Sequence, residues 1–175
     1  WVTDRRNFSS LYLLNIGETG SGKEHTKTVL ETMLEQAGLT DLIGPAGYTS
    51  GAGVMSTLIK KPVHVAVVDE LGRQLKAAAA TGMQHKADAL TAIMECFGRQ
   101  DGTLRPQGYS TMTLKSAEAE KLEKFVRRPS LTLVGMSTPS EFMKAIGGGD
   151  VASGLLNRFL IVKSEIGVQL SQRNS

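Results

Sequence analysis

The stretch from Leu11 to Lys23, Leu-Tyr-Leu-Leu-Asn-Ile-Gly-Glu-Thr-Gly-Ser-Gly-Lys, constrains the fold more than any other part of this chain. A largely apolar run, Leu11 to Ile16, that stops at a glycine reads as a strand buried on both faces. From Lys23 the period changes. Val29, Leu30, Met33, Leu34 and Ala37 fall on one stripe at three- and four-residue spacing, which predicts a helix. Gly38 then supplies a left-handed cap position with Leu39 as its apolar follower. Strand, glycine-rich turn and helix in direct succession leave few architectures open.

The turn has the spacing G-x-x-x-x-G-K. Glycines let the backbone curl until its N–H groups share a centre, and a lysine at that place reaches the β and γ oxygens of a nucleotide. Residues Gly17, Glu18, Thr19, Gly20, Ser21, Gly22, Lys23, Glu24 and His25 are therefore expected to cradle phosphate. One residue departs from the pattern. The position after the lysine is ordinarily Ser or Thr, whose hydroxyl touches Mg²⁺, and here it is Glu24. A carboxylate is a hard oxygen ligand that can meet the metal directly or through water. Its charge at the first turn of a helix gains ~0.3–1 kcal/mol from the dipole. It can also turn away and leave the place to Thr26 or a water. The outer-sphere role is the favoured expectation.

Val63 to Val68 is a β-branched run ending in Asp69-Glu70. Ligand chemistry in a parallel sheet gathers at the carboxyl ends of the strands. Two acids there are costly unless positive charge is bound, and Mg²⁺ with a triphosphate supplies it. Asp69 is expected to hold the hydration shell of the metal and Glu70 to polarise the attacking water. The plainer alternative is a pair of acids facing a helix dipole.

A third apolar run, Leu131 to Met136, ends in Ser137-Thr138-Pro139. The two hydroxyls either contact the γ-phosphate or cap the following helix. Arg158 lies between a short helix and a last strand, Phe159 to Val162. An arginine there can stand at a subunit edge and stabilise charge on a neighbour's γ-phosphate; its plain alternative is a surface salt bridge.

Elsewhere the pattern predicts a loop over 40–53 with at most a weak strand near Leu42-Ile43, a short helix around Val54 to Ile59, and a helix over 70–81 interrupted at Gly82. A second helix after it carries the stripe Leu90, Ile93, Met94 and Phe97 and ends at Gly98, and a further helix runs from Ser140 to Ile146. Gln100 to Lys115 reads as a hairpin or strand pair, and Ala117 to Val126 as a charged surface helix. Gly147-Gly148-Gly149 reads as a break, with Asp150 as a helix N-cap after it. The expected fold is α/β: three layers, a mostly parallel central sheet flanked by helices, and a hairpin/helix insertion, all in one domain.

Composition removes several classes. Cys96 is the only cysteine of 175 residues, which excludes an internal disulfide and a multi-cysteine zinc site. It sits among Ile93, Met94 and Phe97, as a packed thiol would. No run approaches a membrane span and no signal peptide is visible, so a cytoplasmic setting is expected. The chain begins at Trp1, which suggests a piece of a longer protein. A net charge of +3 permits nucleic acid without demanding it. The candidate DNA contacts are Arg99 and Arg105 with the basic group Lys115, Lys121, Lys124, Arg127 and Arg128, and a solvated charged face is as good a reading. His25 and His64 read as an exposed loop residue and a hydrogen-bonded half-buried one.

Taken in order, Gly20-Ser21-Gly22-Lys23-Glu24-His25, Val68-Asp69-Glu70-Leu71, Gly135-Met136-Ser137-Thr138-Pro139 and Gly154-Leu155-Leu156-Asn157-Arg158-Phe159 resemble the ring-forming P-loop ATPases of the AAA+ and RecA-like kind. More narrowly they resemble the helicase-type ATPase domain of phage, plasmid and mobile-element replication proteins, which often follows a primase module. The resemblance spans about residues 8 to 165. It implies ATP and Mg²⁺ as cofactors and translocation on single-stranded DNA by a hexameric ring. It further implies Lys23 as the phosphate lysine, Asp69 and Glu70 as the metal and water acids, Ser137 and Thr138 as the sensor, and Arg158 as a finger acting in trans. A protein-remodelling or loading ATPase, and a nucleotide-binding module without hydrolysis, stay as alternatives.

Overall fold

Four strands form one parallel sheet in the computed structural model, which describes residues 10–23, 25–78, 80, 82–106, 125–146 and 154–164. The strands are β1 (Tyr12–Ile16), β2 (Val63–Val68), β5 (Ser130–Ser137) and β6 (Phe159–Lys163). Between them run helices α1 (His25–Gln36), α2 (Gly51–Lys60), α3 (Leu71–Ala78), α4 (Gln84–Gly98) and α5 (Pro139–Ile146). Two short strands, β3 (Thr103–Leu104) and β4 (Val126–Arg127), pair antiparallel outside the main sheet.

The order across the sheet is β2-β5-β1-β6. Strand β5 thus enters between β1 and β2, although it follows both in sequence. Its register sets Ile16 beside Ser137 and Val68 beside Gly135. A single bridge from Ile43 to Val65 continues the sheet past β2.

Helices cover both faces. Tyr12, Leu14, Ile16, Ala66, Val68, Leu131 and Leu133 face a core closed by Val54 and Leu58 of α2, Leu71 and Leu75 of α3, and Leu90 and Ile93 of α4. Tyr12 anchors it: the ring lies 4.9 Å from Phe97 and 5.4 Å from Phe159, and its hydroxyl donates to the Ile93 carbonyl at 2.8 Å. Val67, Val134 and Met136 point to the other face, where Leu30 of α1 packs on them. The alternation along each strand is the period of two that sends successive side chains to opposite faces. The α/β class, the parallel sheet and its helical flanks agree with the sequence pattern, and the layering is compatible with three layers.

Local chemistry explains the helix ends. Gly38 has φ 71°, and Leu39 N–H donates to the Leu34 carbonyl at 2.8 Å while Gly38 N–H donates to Glu35 at 3.0 Å. That is the two-bond cap expected of a helix followed by glycine. Ser50 caps α2 by accepting from Gly53 N–H at 3.1 Å.

Three boundaries differ from the sequence expectation. The helix expected over 70–81 ends at Ala78 and begins after Glu70, whose φ of 52° lies outside helical space. The partner of β3 is Val126–Arg127, so the end of the helix expected over 117–126 is strand instead. A long-range backbone pairing overrides the local period there. The loop expected over 40–53 holds a single 3-10 turn, Thr40–Leu42, and the first residues of α2. The expectations for 107–124, Gly147-Gly148-Gly149 and Asp150 fall outside the described residues, and with them Lys115, Lys121 and Lys124.

Candidate functional site

The glycine turn leaves β1 and is fastened to β5 at once. Gly17 N–H donates to the Ser137 carbonyl at 3.1 Å, continuing the ladder one residue past the strand. The turn then closes on itself through Ser21 N–H to the Glu18 carbonyl at 3.1 Å and His25 N–H to Gly22 at 3.0 Å. Gly20 and Gly22 both have φ 79°, a region where a side chain would clash with the backbone. Lys23 bends back across the turn, with Nζ 3.4 Å from the Glu18 carbonyl oxygen. Successive N–H groups in such a left-handed turn form a concavity suited to an anion.

Beside this turn lies a cavity of about 440 Å³, within the size range of small-molecule sites. Thr19 and Lys23 line it from the turn, Asp69, Glu70 and Arg73 from the end of β2 and the start of α3, and Ser137, Thr138 and Glu141 from the end of β5 and α5. Six of the residues singled out in the sequence therefore meet in one place: Thr19, Lys23, Asp69, Glu70, Ser137 and Thr138. The strand order brings them together. Because β5 is inserted between β1 and β2, its carboxyl end bridges the turn on one side and the acids on the other.

Packing holds the acid side rigid. A Cβ on Gly72 would collide with Ser137 Oγ and press on Glu141, and one on Gly135 would strike the Leu71 side chain. The first turn of α3 thus lies directly against β5, an approach only glycine allows at position 72. Asp69 and Glu70 project into solvent from this fixed base. Glu70 pairs with Arg73, Nη1 to Oε2, at 2.7 Å.

Ser137 is buried, and its hydroxyl donates to the Thr138 carbonyl at 3.0 Å. Thr138 Oγ1 accepts from Glu141 N–H at 3.3 Å, the capping contact weighed as its alternative. Its hydroxyl keeps a hydrogen to donate, so the cap and a contact in the cavity are compatible. His25 is exposed at the start of α1, and Glu24 lies outside the described residues.

Arg158 stands apart. It precedes β6, whose Phe159 lies beside Tyr12 and whose Lys163 lies beside Ile16. Arg158 therefore sits at the amino ends of the strands, about 16 Å along the sheet from the cavity at 3.3 Å per residue. Its Nη1 donates to the Gly154 carbonyl, and its N–H donates to Leu155 at 2.9 Å.

Arg73 and Glu141 line the cavity yet were not singled out in the sequence. Arg73 had a signal, its three-residue spacing from Glu70 at a helix start. Glu141 had none beyond following a capping Thr138. The histidine and cysteine expectations hold in kind. His64 is buried, deeper than expected, and accepts from Tyr48 Oη at Nε2 (2.6 Å) while Nδ1 donates to the Lys61 carbonyl (2.7 Å). Burial pushes its imidazolium below the usual range. Cys96 is buried, and loss of solvent raises its thiol to about 11, which leaves it inert.

No helix among the described residues is long and apolar enough to cross a membrane. Among the described residues no group of three or more His, Cys, Asp or Glu side chains is placed to hold a metal ion by itself. No family model matches the chain, and no curated protein matches it.

Proposed function

We propose that this chain is an ATP-binding and ATP-hydrolysing domain of the ring-motor kind, and that its parent acts as a replicative DNA helicase of phage or plasmid type. The observation that carries the ATPase reading is the convergence of Lys23, Asp69, Glu70, Ser137 and Thr138 on one cavity beside a glycine turn. The DNA part rests on the order of the four motifs.

In the proposed reaction the turn and Lys23 hold the β and γ phosphates, and Glu70 orients a water in line with the terminal phosphorus. A bond forms from the water oxygen to that phosphorus, and the bond from phosphorus to the β,γ-bridging oxygen breaks with its electron pair leaving on ADP. The water proton passes through Glu70 to solvent. Thr138 offers its hydroxyl to the departing phosphate, and Ser137, whose hydroxyl donates to the Thr138 carbonyl, fixes the strand end that presents it. A carboxylate in the cavity suits Mg²⁺, which is commonly held by one or two carboxylates plus substrate phosphates. Asp69 would hold it, with Glu24 a second oxygen donor by sequence position; when bound it screens the triphosphate charge. At the amino end of the sheet Arg158 is turned away from its own cavity, so its proposed role is toward a neighbouring copy in a homo-oligomeric ring.

Nucleotide binding by the wild-type chain and by Lys23→Ala tests the proposal. Lys23→Ala is expected to bind ATP about 10- to 100-fold more weakly, the ~1.5–3 kcal/mol of a charge-assisted contact. Equal affinity of the two proteins would sink the phosphate reading. Stimulation of turnover by single-stranded DNA supports the helicase reading, and stimulation by protein alone would replace it with a remodelling ATPase.

A further inference from the structure

We infer that Arg73 reads the terminal phosphate of the nucleotide, exchanging its ion pair with Glu70 for that phosphate. The inference rests on the ATP-binding reading above and names a residue that reading does not use.

Arg73 lies on the first turn of α3, three residues after Glu70, and both line the cavity that Lys23 enters from the other side. The pair is short at 2.7 Å, yet the two side chains are 66% and 57% exposed. An exposed pair of this kind contributes little to stability and is easily exchanged. A purely structural role explains it poorly. Its setting is strained as well: Glu70 has φ 52°, a conformation unfavourable for a residue with a side chain. Arg73 N–H and Gln74 N–H both donate to the Glu70 carbonyl, at 2.9 and 3.2 Å, so the helix starts on this strained residue.

The scaffold under the pair is fixed, because Gly72 lies against Ser137 and Glu141, and Leu71 against Gly135. Entry of a ligand therefore leaves the helix in place and acts on side chains. Of the two other acids that line the cavity, Glu141 has its own cation in Lys144 at 3.6 Å, and Asp69 is the proposed metal ligand. A terminal phosphate adds oxygens on the Asp69–Glu70 side of the cavity. A guanidinium matches two of them with its planar fork and binds them better than a lone ammonium would. Without a third phosphate, Arg73 stays on Glu70. With one, it moves to the phosphate, and the Glu70 carboxylate becomes free to accept from water.

The test is equilibrium binding of ADP and of a non-hydrolysable ATP analogue, with Mg²⁺ in the buffer, across Arg73 and Glu70 variants. Arg73→Ala is expected to weaken the analogue about tenfold, the scale of one charge-assisted contact, and leave ADP unchanged. Arg73→Lys should fall between, since it keeps charge and loses the fork. Glu70→Gln should tighten the analogue in the presence of Arg73 and have no such effect beside Arg73→Ala. Equal losses for ADP and the analogue, no loss for either, or a Glu70→Gln effect independent of Arg73 would overturn the inference while Lys23→Ala still loses nucleotide. A wild-type chain that binds neither nucleotide would overturn the ATP reading and this inference together. Arg73 is exposed, so thermal unfolding of each variant should match wild type.

Discussion

Tyr12, Leu14, Leu131 and Leu133 look out from one face of the sheet into the side chains of α2, α3 and α4, and each is at most 1% exposed. On the opposite face, Leu13, Val65, Val67 and Val134 meet α1, whose described side chains include none that is buried. Met33 is 61% exposed and Val29 39%, although both belong to the apolar stripe that announced the helix. The two faces use the same alternation of side chains and differ in how much water they exclude. A helix with so little burial would be marginal alone. What holds α1 is Leu30 on the sheet, the two-bond cap at Gly38, and the turn tied to β5 through Gly17 and Ser137. The helix that would carry a phosphate at its start is thus anchored mainly at its ends, and the acids opposite are set on the packed face.

The contrast is most easily attacked through its strongest member. Leu14→Ala on the packed face is expected to cost about 2–5 kcal/mol, read as a drop in denaturation midpoint at constant slope. A cost under about 1 kcal/mol would mean that the face repacks and is less rigid than its burial implies.

An intermediate effect is expected at His64, which shares that face with Ala66 and Val68. Burial lowers its folded-state pKa, so below about pH 6.5 the unfolded chain binds a proton that the folded chain resists. The contribution is complete above that pH and declines as pH falls toward the folded-state value. Unfolding measured from pH 7.5 to 5 should show this decline in wild type and a shallower one in His64→Gln. Equal slopes would locate the acid sensitivity elsewhere.

The smallest effect belongs to the sparse face. Met33→Ala should change stability by no more than about 0.5 kcal/mol. A loss approaching that of Leu14→Ala would show α1 to be covered and erase the difference between the faces.

Much of this was legible in the chain. The run to Ile16, the glycines at 17, 20 and 22, the stripe from Val29 to Ala37 and the cap at Gly38 are local signals, and each became the expected element. Asp69-Glu70 and Ser137-Thr138 were legible as strand ends because a β-branched run simply stops before them. Arg73 was harder, since a helix-start arginine ordinarily faces solvent and only the cavity gives it a place. The pairing of β3 with Val126–Arg127 could not be read either, because two-residue strands carry no period.

Sequence by itself determined the α/β class, the strands of the main sheet, the glycine turn and six of the eight residues that line the cavity beside it. These follow from side-chain periodicity and from backbone freedom at glycine, which act over a few residues. Only the tertiary structure decided that β5 lies between β1 and β2, that Gly72 lets α3 rest on Ser137, and that Arg158 stands at the far end of the strands. Strand order depends on which apolar faces can be buried together across more than a hundred residues, and no local pattern encodes it.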